Sequence, residues 1–362
     1  MLVRQKVPEI VKRLGRYIGL SVIEAMLMVL MVVVFLNNLF TFLDQLGDMR
    51  ANYQLPQVLK YMLLTTPKRI YEAIPISALI GCLAGLGGMA GHNELVILRA
   101  AGVSLSRIGW EVMKPALVMI IIGMLIGEYL MPTAEQTALT NRKIERSADG
   151  RYTDEGLWHR EGNSYMFFNA IQPDGVLYGV SRFVFDDQNR LMASSHADRA
   201  VYQGKHWILE NVKNSHYQDD TITTTTNPVE NWHTELTTTL LKVVVVRPND
   251  LSIRGLIAYA DYLRDQGLES GEYDLAFWKK VLQPLSIMAL VLIGMSFVFG
   301  PLRSVSIGLQ LFTGVVTGII FLILQNLMEP ASLVFGFSPL IAVLLPIMIC
   351  FGIGVVLLRQ AA

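Results

Sequence analysis

Six long apolar segments constrain the fold of this chain more than any other feature of its sequence. An α-helix needs about 20 apolar residues to cross the hydrocarbon core of a bilayer, and each segment reaches that length. The predicted spans are residues 17–43, 70–90, 108–130, 277–299, 307–327 and 339–358. The sequence therefore predicts an integral membrane protein with six transmembrane helices.

Charged residues are distributed unevenly along the chain. They make up 17% of its 362 residues, against about 25% in soluble domains, and they concentrate in residues 141–275. The net charge is zero and no basic block occurs, so a nucleic-acid partner is not expected. Cys82 and Cys350 lie in apolar stretches, which indicates packing residues rather than a disulfide or a zinc site.

A polar insertion, residues 131–276, separates the third span from the fourth and has a β-like pattern. Strands are predicted at 164–171, 179–185, 191–202, 206–212, 221–226 and 236–246, with turn residues between them. This spacing favours a sandwich, a jelly roll or a half-open barrel. Residues 250–266 have helical periodicity, with Asp250 or Ser252 as the candidate cap. The predicted domains are residues 1–130, 131–270 and 271–362.

The placement of Lys and Arg predicts the orientation in the membrane. Five basic residues precede the first span: Arg4, Lys6, Lys12, Arg13 and Arg16. Counting spans forward puts four more on the same side: Arg99, Arg107, Arg303 and Arg359. We therefore expect a cytoplasmic N-terminus and an insertion outside, which is the periplasm in a Gram-negative bacterium.

Glycines inside the spans are interpreted as helix-packing residues. Gly81, Gly85 and Gly88 recur in the second span, and Gly314 with Gly318 forms a GxxxG motif in the fifth. Missing side chains let helix backbones approach closely. No phosphate-binding loop with its lysine, no nucleophile motif and no metal-ligand pair of histidines is found in the sequence. We therefore expect neither an enzyme nor a metal or cofactor on this chain.

A short amphipathic helix is predicted in the loop 91–102, between the second and third spans. Leu95, Leu98 and Ala101 fall on one face, Glu94 and Arg99 flank it, and Gly102 can end the helix. The pattern itself leaves two interpretations open. The helix either lies on the membrane surface or docks a soluble partner.

Ionisable residues near the spans cluster towards their outer ends: Asp44, Asp48, Arg50, Glu128, Arg142, Lys143, Lys279 and Lys280. They can be ordinary interfacial anchors. Alternatively, they form a polar collar above an apolar cavity for a ligand with an anionic head and acyl tails. The spans contain no chain of carboxylates of the kind that proton-coupled transporters use.

Several short motifs then point to a known family. They are Leu43-Asp44-Gln45-Leu46, Glu94-Leu95 with Ala101-Gly102-Val103-Ser104, Glu128 with Pro132 and Glu135-Gln136, Gln283-Pro284-Leu285-Ser286 and Phe299-Gly300-Pro301-Leu302-Arg303-Ser304. In this order and spacing they resemble the LptF/LptG permease family of the lipopolysaccharide exporter over essentially the whole chain. The last motif favours the LptG side of that family.

The resemblance implies a fold, a function and partners. The fold would be a membrane α-helical bundle of six transmembrane helices with an inserted periplasmic β-jellyroll domain, in the bacterial inner membrane. The function would be that of a non-catalytic ABC-transporter permease subunit. It would extract lipopolysaccharide from the inner membrane and pass it to a periplasmic bridge towards the outer membrane. The alternative is a mechanotransmitting permease that acts on periplasmic partners without a lipid cavity.

The implied partners are an LptF permease, two LptB ATPase subunits that carry ATP and Mg, LptC and, indirectly, LptA. The loop helix becomes the coupling helix that docks the ATPase, through Glu94, Leu95, Leu98, Arg99 and Gly102. The lipid cavity would be lined by Phe35, Leu39, Thr41, Asp44, Phe312, Val316 and Ile319. Relatives carry lysines after the first span where this chain has Thr41, Gly47 and Asp48. Because this chain lacks those lysines, contacts to lipid phosphates are assigned to the remaining basic residues nearby, Arg50, Arg142 and Lys143.

Overall fold

The computed structural model of this chain describes residues 3–49, 53–146, 157–171, 176–204, 206–218, 221–234, 247–300 and 305–361. For residues 3–13, 143–144, 146, 157, 170–171 and 361 it describes the backbone alone. The helices are α1 (Val3–Gly47), α2 (Leu55–Gly91), α3 (Glu94–Ala100), α4 (Leu105–Leu125), α5 (Met131–Arg146), α6 (Ile253–Asp265), α7 (Gly271–Phe299), α8 (Ile307–Phe335) and α9 (Pro339–Ala361).

Six of the described helical segments are long and apolar enough to cross a membrane. They are Leu14–Gly47, Leu55–Gly91, Leu105–Arg142, Gly271–Phe299, Ile307–Phe335 and Pro339–Gln360. The six-span prediction is thus confirmed, although most of the helices are longer than their apolar cores. The second begins well before residue 70, because Lys68 and Arg69 interrupt its apolar run without ending the helix.

The third span is not one regular helix. A π-helical turn, Ile126–Leu130, follows α4 directly, and α5 continues the helical path to Arg146. The prediction ended this span at residue 130, where the apolar residues end. Because α5 is polar and carries Pro132 and several threonines, hydropathy does not reveal it.

The chain forms two compact units. The first comprises Met1–Leu39, Pro67–Glu128 and Gly271–Ala362, and the second comprises Phe40–Thr66 and Tyr129–Ser270. The first unit has a continuous apolar core to which α1, α2, α3, α4, α7, α8 and α9 all contribute.

Glycines bring helices of the first unit together, as predicted. A Cβ atom at Gly81 would overlap the backbone of Met26 in α1, and one at Gly85 would lie 3.0 Å from the Cα atom of Val22. Gly314 of α8 faces the side chain of Leu83 in α2, which a Cβ atom at this position would overlap. Gly88 differs, since nothing lies within 4 Å of its missing side chain.

The second unit contains a six-stranded antiparallel sheet. Its strands are β1 (Leu157–Glu161), β2 (Ser164–Ile171), β3 (Val176–Phe185), β4 (Leu191–Tyr202), β5 (Trp207–Gln218) and β6 (Thr221–Trp232). They pair in chain order. This confirms an inserted, β-jellyroll-like domain, and β2 and β4 have the predicted bounds. Strand β1 was not predicted, and the strand predicted at 236–246 lies outside the described residues.

The sheet has its own core, separate from that of the helices. It is formed by Met166, Phe168, Leu177, Val180, Ala197, Ala200, Trp207, Leu209, Val212 and Trp232. The two buried tryptophans face each other across β5 and β6, with ring centroids 6.3 Å apart. An aromatic core of this kind contributes a large share of a small domain's burial.

Helix α6 follows the sheet and corresponds to the helix predicted at 250–266. Of the two candidate caps the chain uses Ser252, whose Oγ accepts a 3.1 Å hydrogen bond from the amide of Gly255. Asp250 lies instead in a 3₁₀ turn, Pro248–Asp250. The helix buries Leu256, Tyr259, Ala260 and Leu263. Ile257 of the same helix is exposed.

Candidate functional site

Helix α3 is held in place by backbone geometry at both ends. Asn93 precedes it with a left-handed φ of 58°, and Gly102 follows it with φ of 86°. The amide of Val103 donates a 3.2 Å hydrogen bond to the carbonyl of Leu98, and the amide of Gly102 donates one of 3.0 Å to Arg99. This is a Schellman-type end, in which glycine is favoured at the left-handed position. Gly102 thus ends the helix as predicted.

The apolar face of α3 points into its own bundle. Leu95 and Leu98 are only 4% and 5% exposed and belong to the core of the first unit. These two residues were assigned to contacts with a docked partner, and the structure corrects that role, because their side chains are covered by the chain itself. Val96 and Ile97 are exposed instead, at 47% and 65%.

The polar residues of α3 lie between these two faces. The carboxylate of Glu94 accepts a 3.1 Å hydrogen bond from the hydroxyl of Tyr17 in α1. Glu94 and Arg99 are both half-buried. Helix α3 is therefore packed on the core of the first unit through one face and hydrogen-bonded to α1. Its opposite face presents two exposed apolar side chains.

The predicted cavity residues lie on uncovered faces of α1 and α8. On α1, Phe35 is 65% and Leu39 41% exposed, and on α8 Phe312 is 65% exposed. Val316 and Ile319 continue the exposed stripe of α8. These side chains are therefore not buried against each other within this chain. Further along α1, Thr41 is half-buried and Asp44 is exposed.

Of the three residues assigned to lipid phosphates, only Arg142 has a described side chain. It donates a 2.6 Å hydrogen bond to the carboxylate of Asp48 and lies 5.3 Å from the ring centroid of Tyr61. Its charge is thus already matched. Lys143 lies in α5 with only its backbone described, and Arg50 lies outside the described residues.

A buried lysine is the feature that sequence reasoning missed. Lys280 of α7 is 6% exposed, donates to the carbonyl of Gly127 and lies 5.7 Å from the ring centroid of Tyr71. Lys279 points elsewhere and pairs with Glu329 of α8 at 2.5 Å. Both were grouped with the interfacial anchors. Because neighbouring helix positions are about 100° apart, their adjacency already implied that the two side chains face different surroundings.

Comparison with known proteins decides the family. The sequence matches the family described as "Lipopolysaccharide export system permease LptF/LptG" over residues 16–360. The LptG permease protein of Escherichia coli (strain K12) is 35% identical over 353 residues, 96% of this chain and 98% of that protein. The LptG protein of Haemophilus influenzae (strain ATCC 51907 / DSM 11121 / KW20 / Rd) is 35% identical over 340 residues, 93% and 95% of the two chains.

The chain belongs to the LptF/LptG permease family. This confirms the resemblance drawn from the short motifs, including its preference for LptG, since both relatives carry that name. The LptG relatives and the six apolar helices together make this chain a multi-pass protein of the inner membrane.

Proposed function

We propose that this chain is the LptG-type permease subunit of a lipopolysaccharide export ABC transporter. It extracts lipopolysaccharide from the inner membrane and passes it to a periplasmic bridge towards the outer membrane. The observation that carries this proposal is the match to LptG proteins over nearly the whole of both chains. The six spans and the inserted sheet domain are consistent with it.

A second permease, LptF, completes the lipid cavity in this proposal. The exposed apolar stripes of α1 and α8 are not covered by the described part of this chain and are available to such a partner. The cavity residues are Phe35, Leu39, Thr41, Asp44, Phe312, Val316 and Ile319. Arg50, Arg142 and Lys143 remain the basic candidates for lipid phosphates, and Arg142 would have to exchange Asp48 for the lipid.

Energy for extraction comes from outside this chain. Moving an acyl chain out of hydrocarbon costs about 0.8 kcal/mol per CH₂. Extraction of a lipid with several acyl chains therefore requires a large input of free energy. Two LptB subunits supply it by binding and hydrolysing ATP with Mg. LptC and then LptA receive the lipid. Helix α3 is the coupling helix, with Val96 and Ile97 as outward contacts and Leu95 and Leu98 as anchors in the bundle.

The orientation has a cytoplasmic N-terminus and a periplasmic insertion, 131–276. Basic residues before the first span support it through the positive-inside rule. The bond between Tyr17 and Glu94 joins the start of the first span to α3, which agrees with the count of spans that puts the two on one side of the membrane. In this layout residues 1–130 and 271–362 form the membrane part, with α3 in the cytoplasm, and 131–270 form the periplasmic domain.

Photo-crosslinking tests the cavity. A photoreactive residue at Phe312 or Val316, in the active complex with its partners, should form lipopolysaccharide adducts. The matched control is Leu345, an exposed residue of the sixth span that has no place in the cavity. Adducts at the first two positions and not at the control support extraction through the cavity. An active complex without adducts would favour the mechanotransmitting alternative instead.

Purification in mild detergent tests the partners. Affinity capture of the full chain should bring down a second permease, an ATPase and bound lipopolysaccharide. Capture of the chain with none of these from a strain that exports lipopolysaccharide would contradict the proposal.

A further inference from the structure

A groove of about 390 Å³ lies between α1 and α4. Small-molecule sites usually measure about 300–1,000 Å³, so the groove has the size of a binding site. Residues 15–23 of α1 and 111–118 of α4 line it. It lies close to α3, since Tyr17 of the same turn of α1 is hydrogen-bonded to Glu94.

Two glycines make the groove concave. Gly15 lies directly against the carboxyl group of Glu111, where an added Cβ would be 2.7 Å from its Cδ atom. Gly19, one turn further, faces the backbone carbonyl of Glu111. A larger residue at Gly15 would collide with Glu111, and one at Gly19 would fill the space, so the groove depends on missing side chains.

The end of the groove nearest the start of both helices is charged. Lys114 donates a 2.6 Å hydrogen bond to Glu111 and is 52% exposed, so it keeps donors for a further partner. Arg16 is exposed, and its guanidinium has no hydrogen bond or ion pair with any residue in the described part of the chain. Two cations and one carboxylate leave a net charge of one positive.

The other end of the groove is apolar. Leu20 follows Arg16 by four residues and Val118 follows Lys114 by four, which is about 6 Å along a helix. Ile23 and Pro115 complete this wall. Both helices thus change from charged to apolar in the same direction, as a lipid molecule does. Leu20 and Val118 are both 49% exposed, so the wall is accessible from the bilayer.

We propose that this groove binds a glycerophospholipid with a net negative headgroup. Its phosphate lies between Arg16 and Lys114, and an acyl chain lies along Leu20 and Val118. The single net positive charge of the groove complements the single net negative charge of a headgroup such as that of phosphatidylglycerol, whereas phosphatidylcholine has no net charge. In the orientation proposed above this lipid comes from the cytoplasmic leaflet, at the end of the spans away from the inserted domain. It is thus a bound lipid of the permease and not its cargo.

Photoactivatable phosphatidylglycerol tests the proposal. The full complex is reconstituted in nanodiscs with this probe in one arm and with photoactivatable phosphatidylcholine in the other, and labelled peptides are identified by mass spectrometry. Phosphatidylglycerol should label peptides of residues 16–23 and 114–118 in preference to phosphatidylcholine. Arg16→Gln should lower that labelling about five-fold, since one basic residue is lost at an anionic membrane surface. Gly19→Leu should lower it by filling the groove.

Arg107→Gln is the matched control, because Arg107 is an exposed basic residue at the start of α4 outside the groove. Its labelling should equal that of the wild type. Equal labelling by both probes, or unchanged labelling of Arg16→Gln, would overturn the proposal. So would a photoreactive residue at Leu20 that crosslinks a partner helix in the intact complex, since the groove would then hold protein.

Discussion

The ammonium group of Lys280 donates a 2.8 Å hydrogen bond to the backbone carbonyl of Gly127. Gly127 belongs to the π-helical turn of the third span, where the regular i→i+4 ladder is interrupted and π-turns often mark functional positions. Lys280 lies in the fourth span and is almost fully buried. Burying a charged side chain inside a protein is costly unless it is hydrogen-bonded or paired. The bond therefore joins two spans at the point where one of them is irregular.

Lys280→Met should destabilise the chain by about 1–3 kcal/mol, because it leaves a buried carbonyl without its donor. The measurement is thermal unfolding of the purified complex in detergent. Lys60→Met is the control, since Lys60 is exposed on α2 and the same exchange there should change little. A melting temperature of Lys280→Met equal to that of the control would contradict the role given to this bond.

Gly81→Ala should be destabilising by about 1–3 kcal/mol, because the new methyl group overlaps backbone atoms of Met26 and the two helices must separate. Gly88→Ala, on the same helix, meets nothing within 4 Å. It should be neutral or stabilising by up to about 1 kcal/mol, since alanine favours helix more than glycine does. The measurement is the melting temperature of Gly81→Ala and of Gly88→Ala under the same conditions. Equal melting temperatures would rule out close packing at Gly81.

Features that depend on local chemistry were predictable from the sequence. The spans follow from the bilayer's demand for long apolar helices. Strands β3 and β4 end and begin as predicted because the turn between them is self-contained. The carboxylate of Asp186 accepts hydrogen bonds from the amides of Arg190 and Gln188, and the bond from Arg190 is the main reason why the pKa of Asp186 is lowered.

Features that depend on distant contacts were not predictable. The spacing of Leu95 and Leu98 identifies an apolar face of α3 but not what covers it, and the core of the same chain covers it. The partner of Lys280 lies far away in sequence, so the sequence gives no sign of it. Helix α5 is too polar for a hydropathy signal, and β1 is only five residues long.

Ile97→Asp should weaken ATPase docking on the order of ten-fold, because it puts a charge into the exposed apolar surface that Val96 and Ile97 form on α3. Co-purification of the ATPase with the tagged chain measures this. Ile257→Asp is the control, an exposed isoleucine of α6 in the other unit. Normal recovery of the ATPase with Ile97→Asp would exclude this face of α3 as the docking surface.

Glu94→Ala should also lower ATPase recovery, because it removes a carboxylate at the edge of the same face. The change also removes the acceptor of Tyr17, so Tyr17→Phe is needed beside it. Tyr17→Phe removes only the hydrogen bond and should retain most of the ATPase. Unchanged recovery with Glu94→Ala would contradict a direct role of this carboxylate.

His159 should make the second unit less stable as the pH falls. This residue of β1 is 6% exposed, and its Nε2 lies 3.0 Å from the hydroxyl of Tyr262. Burial is the main influence on its pKa and lowers it, while nearby Glu161 acts in the opposite direction. The folded state therefore binds a proton less readily than the unfolded state, whose histidine has a pKa of about 6.5.

Stability from this residue is present above about pH 6.5 and is lost as the pH falls below it, with a slope of at most about 1.4 kcal/mol per pH unit. Unfolding of the full chain between pH 7.5 and 5.5 measures the slope, and it is followed by tryptophan fluorescence, to which buried Trp207 and Trp232 of the sheet contribute. His159→Gln keeps a hydrogen-bonding group without a titrating ring, so its slope should be shallower than that of the wild type. His216→Gln, at an exposed position of β5, should retain the wild-type slope. If His159→Gln and the wild type lose stability in parallel, the pH dependence arises from other groups.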